Sequence, residues 1–140
     1  MTRSKKNICL LIFALFLSLR ASLFAKSDGK LPKPVYFQLI DSTVSLELND
    51  AVQFAHVNLP KKFHNTFLSY IKDSAATEIP GLKSPVYYNW QLANGKIING
   101  DVYWTGTIGY IVIKIDDKRY VNSFSNDGII QLKTLFKLQH

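Results

Sequence analysis

The stretch Lys114–Ile130, KIDDKRYVNSFSNDGII, gathers three aspartates, a Lys-Arg pair and small hydroxylated residues ahead of a glycine. Ser123, Ser125 and Asp127 put oxygens at alternate positions before Gly128, like the opening of a calcium loop. Such a loop needs several carboxylates and a bidentate Glu at its twelfth position, which counted from Ser123 is Thr134. Asp116 and Asp117 are adjacent, so on a strand they would point to opposite faces. Paired catalytic carboxylates need an environment that drives their acidities apart, and the local sequence supplies none. The histidines offer no ligand spacing either, since His56 and His64 flank Pro60 and His140 ends the chain. No Gly-x-Ser-x-Gly elbow or glycine-rich phosphate loop occurs. A hydrolytic site is left only as one assembled from distant residues, such as Ser69, His64 and Asp73, or His56, His64 and Asp101. No metal and no cofactor is expected.

Aromatic residues are the other chemistry on offer. Tyr88, Trp90, Tyr103, Trp104 and Tyr110 fall in consecutive apolar runs, and Lys114 follows closely. Exposed Tyr and Trp beside Lys are what a binding surface favours. These six residues are the candidate binding set, with a protein as the expected partner. The competing expectation is that the rings fill a second core layer, covered by residues 35–48. Anionic lipid or glycan is a further partner class, with Lys61, Lys62 and Lys72 as the lipid candidates.

What must position these residues is a chain of 140 residues whose first 25 read separately. Arg3, Lys5 and Lys6 precede an apolar run, Ile8–Leu19, and Ala25 follows at a small-residue cut. This is the layout of a secretory signal peptide, giving an exported product, periplasmic or secreted. The run covers about 18 Å as a helix, against about 30 Å for a bilayer core, so no transmembrane span is expected in the mature form. Four of the 17 basic residues and none of the 10 acidic ones lie in this leader, leaving a balance of +3 from a full-chain +7. Export and a modest charge argue against nucleic acid as a partner. The single cysteine, Cys9, is also in the leader, so a mature chain has no disulfide and depends on its core.

Residues 26–34, KSDGKLPKP, read as a flexible linker, and 35–140 as one domain. Val35–Ile40 and Thr43–Leu48 have strand character, and Ala51–Val57 is ambiguous. The best helix runs from Pro60 to about Ala75, with Leu59, Phe63, Phe67, Tyr70 and Ile71 as its apolar stripe. Beyond Pro85 the period becomes two. Strands are expected at 86–92, 96–104, 108–115, 119–124 and 128–138, with turns at Asn94-Gly95, Gly106, Asp116-Asp117 and Asn126-Asp127-Gly128. The expectation is an α+β fold, an antiparallel meander sheet of about five to seven strands packed on one main amphipathic helix.

Leu59-Pro60, Phe63 and Phe67 on a helix, Trp90 or Trp104 on a strand, Asp117-Lys118, Tyr120, and Asp127-Gly128 before Ile129-Ile130 form a recognisable order. Over residues 59–130 it resembles the small periplasmic PepSY-like and β-lactamase-inhibitor-protein-like modules. The chain departs from them by an insertion around Glu78–Pro85, an extra hairpin at Asn94-Gly95 and added strands at both ends. The resemblance implies an exported, non-enzymatic module that binds or inhibits another protein, and it transfers no catalytic residue.

Overall fold

The computed structural model describes residues 26–137; the expected signal peptide, residues 1–25, lies outside the described residues. In chain order the elements are α1 (Lys33–Ser42), β1 (Thr43–Asp50), β2 (His56–Asn58), a 3-10 turn (Lys61–Phe63), α2 (His64–Ser69), β3 (Ile71–Ala75), β4 (Val86–Leu92), β5 (Ile97–Thr105), β6 (Ile108–Ile115), β7 (Lys118–Phe124) and α3 (Asn126–Phe136). All seven strands join one sheet in the order β2-β1-β4-β5-β6-β7-β3, and every pairing is antiparallel. The fold is therefore α+β.

Strands β4 to β7 are the meander that the alternation of VYYNWQL and its successors dictates. Gly95 and Gly106 take positive φ in the first two turns, and Asp116 (φ 53°) does so in the third. One face carries Leu46, Leu48, Tyr88, Trp90, Val102, Ile111, Ile113 and Phe124. It is buried in one cluster with Leu39 of α1, Phe67 and Leu68 of α2, and Ile129, Leu132 and Phe136 of α3. Three helices thus share the cover expected of one.

Several expectations are corrected. Val35–Ile40 is helical: Pro34 opens α1, and Val35, Tyr36, Leu39 and Ile40 recur at helical spacing on its packed side. The helix expected over Pro60–Ala75 stops at Ser69, because Ile71–Ala75 is drawn onto the edge of β7, pairing Ile71 with Phe124. Residues 128–138 are not a strand, since α3 begins at Asn126. Ser125 caps it, its hydroxyl accepting the Gly128 N–H at 3.1 Å. Asp127-Gly128 is thus a first helical turn, and Gly128 serves close packing: a β-carbon there would stand 2.8 Å from Tyr70 Cβ. Residues 28–31 are no free linker either. They lie along β7, with the Asp28 N–H donating to Arg119 O at 2.7 Å and the Leu31 N–H to Asn122 Oδ1 at 2.7 Å.

The centre of the sheet holds one unusual contact. Tyr88 on β4 reaches across Gly100 of β5, and its hydroxyl donates to Val112 O of β6 at 2.5 Å. Burial pushes the Tyr88 phenol well above its usual range, with the nearby Asp101 charge adding to the rise. The folded chain thus keeps a proton that the unfolded chain gives up through about pH 10. The folded state then binds more protons, so stability is unaffected at neutral pH and falls as pH rises past that point. Urea unfolding from neutral to strongly alkaline pH should show this loss, with a shallower slope in Tyr88→Phe. Equal slopes in the two proteins would refute the assignment.

Candidate functional site

Among the described residues no helix covers the sheet's second face. A segment spanning residues 76–82 folds across its β6–β7 half, where Ala76 and Leu82 pack on Tyr110, Val112 and Val121. Two features fasten this strap. Arg119 donates through both terminal nitrogens to the Glu78 carboxylate, one contact at 2.8 Å, and this pairing holds the guanidinium above its usual range. The Ile79 N–H donates to the Tyr110 hydroxyl at 3.3 Å. Under the strap Tyr103 and Tyr110 stack, centroids 4.8 Å apart and planes 12° off parallel. Burial raises both phenols above their usual range. Beside them runs an open groove of about 700 Å³ that also touches Lys26 and Ser27.

Among the described residues, nothing covers the β1–β4–β5 half of this face. Register places Glu47, Asn89, Asn99, Lys114 and Arg119 in one row across five strands. The next row brings Tyr87 beside Asp101, whose carboxylate lies 3.7 Å from Lys114 Nζ. Ile97 stands opposite Gln91 and is 62% exposed, and Tyr87 is 40% exposed. The open half therefore carries amides, one loose ion pair and two apolar anchors on strands whose other face is locked into the core.

The six candidate binding residues divide between the two faces. Tyr88, Trp90 and Trp104 point into the main core, at 0%, 0% and 8% exposure, so a partner has no surface of these rings to contact. Their cover is α1, α2 and α3, not strands from 35–48. Tyr103, Tyr110 and Lys114 are on the second face, with Tyr110 buried under the strap, Tyr103 half-buried and Lys114 exposed. The sequence reading missed Tyr87, Asn89, Ile97 and Asn99. Their signal was present: once Val86 and Leu92 fix the inward side of VYYNWQL, period two sends Tyr87, Asn89 and Gln91 outward.

The enzymatic candidates do not converge. His56 is on edge strand β2 and Asp101 on β5, three strand spacings or about 14 Å apart. His64, expected at the surface, is buried on the opposite side of the sheet, its Nε2–H donating to Leu59 O at 2.8 Å. Ser69 bonds Thr66 O, while Asp73 pairs with Lys30 and Lys33. Among the described residues no three His, Asp or Glu side chains are placed to share a metal ion. No helix among them is long and apolar enough to cross a membrane. Lys61 and Lys62 precede α2, while Lys72 lies on β3.

No protein-family model matches the chain, and neither curated proteins nor solved structures provide a match.

Proposed function

We propose that the chain is an exported, non-enzymatic module that binds a protein partner through the open half of its second sheet face. The observation that carries this reading is the exposure of Tyr87 and Ile97 among Asn89, Gln91, Asn99 and Lys114 on central strands. An aromatic and an aliphatic anchor surrounded by amides, on a backbone that cannot yield, is the composition of a binding patch. Export rests on the leader, and the resemblance to inhibitor-like periplasmic modules points the same way.

The test is affinity capture from cell-envelope and culture-medium fractions with the purified protein, partners identified by mass spectrometry. Tyr87→Ala combined with Ile97→Ala should cut capture at least about tenfold, with Tm held within a few degrees because both side chains already face water. Ile130→Ala, at an exposed position of α3 on the other side of the sheet, should capture normally. Undiminished capture by the double variant and by Asn99→Arg would refute the reading.

A further inference from the structure

A second concavity lies on the helical side, away from the proposed protein-binding face. It is a groove of about 350 Å³ between α2 and α3, walled by Leu59, Phe63, Phe67, Tyr70, Leu132 and Leu135. Its volume is roughly twice that of an engineered cavity that takes up benzene and lies at the low end of small-molecule sites. The floor is fixed, since Phe67 packs edge-on against the buried Trp90 with ring centroids 6.2 Å apart. The rim is apolar and open to water: Phe63 is 45% exposed and Leu135 39%.

The α2 side of this rim is basic. Lys62 Nζ sits 5.0 Å from the centroid of the groove-lining Phe63 ring, and Lys61 is its neighbour. Neither lysine is in an ion pair among the described residues, so both ammonium groups are available to an anionic head group. No acidic residue occurs between Lys61 and Ser69. A docked helix is a poor fit, because α2 has six residues and is about 9 Å long, less than the 10–12 Å breadth of a helix with its side chains. A single alkyl chain is far narrower than a helix and can lie along the groove.

From the apolar channel and its unpaired lysines we infer that the α2–α3 groove binds a free fatty carboxylate, the chain against Phe67 and Leu132 and the head group at Lys61 and Lys62. This goes beyond the protein-binding reading and uses none of its residues.

The test is calorimetric titration of the purified protein with laurate below its micelle concentration, and with dodecyltrimethylammonium as the cationic chain of equal length. Saturable one-to-one binding of laurate, tighter than of the cation, is expected. Lys61→Glu with Lys62→Glu should weaken laurate roughly tenfold and narrow or reverse that preference. Thr66→Trp, at an exposed groove position, should block both ligands while the melting curve stays unchanged. No saturable laurate binding, or full binding by Thr66→Trp, would overturn the inference. Flotation with anionic phosphatidylglycerol vesicles that persists in Thr66→Trp would overturn it too, by showing a surface attraction to membranes in place of a groove.

Discussion

Alanine at Gly100 should cost about 4 kcal/mol, seen as a fall in Tm of roughly 15 °C or more. The reason is geometric. Gly100 has ordinary backbone angles, so the loss has nothing to do with a left-handed conformation. A β-carbon there would collide with Val112 O and the Tyr88 hydroxyl, and would stand 2.8 Å from Tyr88 Cζ. The first of these is backbone in a central strand, paired on both sides, and cannot swing away. The second is the donor of the Tyr88–Val112 bond, so the clash also breaks a buried hydrogen bond. The cost takes up much of the margin of a typical small domain. Adding Tyr88→Leu should recover only part of it, because the carbonyl clash remains. A Tm within a few degrees of the parent would show that the strands can part at no cost, contrary to this account.

Trp90→Ala should destabilise by about 3–5 kcal/mol. Trp90 is fully buried, stacked on Tyr88 at 4.6 Å and 24° and met edge-on by Phe67. Its Nε1–H has no partner among the described residues, so Trp90→Phe leaves no orphaned acceptor there and should cost less than half as much. Denaturant melts of the two variants decide this, and equal, small losses would contradict the packing described. The result also governs any binding experiment, since lost capture by Trp90→Ala reports a damaged fold. Tyr87→Ala, one residue earlier and facing water, reports the surface.

The meander from Val86 to Phe124 was legible because β4 and β5 alternate strictly, β6 and β7 are rich in β-branched and aromatic residues, and each turn carries Asn-Gly, a glycine or an Asp pair. The helices were harder. Val35-Tyr36-Phe37 is rich in strand formers, but propensity yielded to the pattern 35, 36, 39, 40, which buries one side of a helix. Asn126-Asp127-Gly128 has hairpin chemistry and helix-start chemistry at once; Ser125 three residues before Gly128, with apolar residues at 129, 132 and 136, settles it as a helix. Ile71–Ala75 could not be separated from the helix before it by period, because its strand state is imposed by β7, nearly fifty residues later. The second sheet face was half legible: Tyr103, Tyr110 and Lys114 lie on it, while Tyr88, Trp90 and Trp104 were drawn to it by ring type when their alternation with Val86 and Val102 already sent them inward.

The strip at residues 28–31 matters for the order of events in the life of the chain. Its partners, Arg119 and Asn122, stand 91 residues downstream of Asp28 and Leu31. Synthesis at about 5–20 residues per second leaves the strip unpaired for roughly 5–20 s. Closing so long a loop is a late step in folding as well. Residues 28–31 are therefore without their β7 partners until most of the chain has been made, so this end of the domain is among the last parts to be fastened.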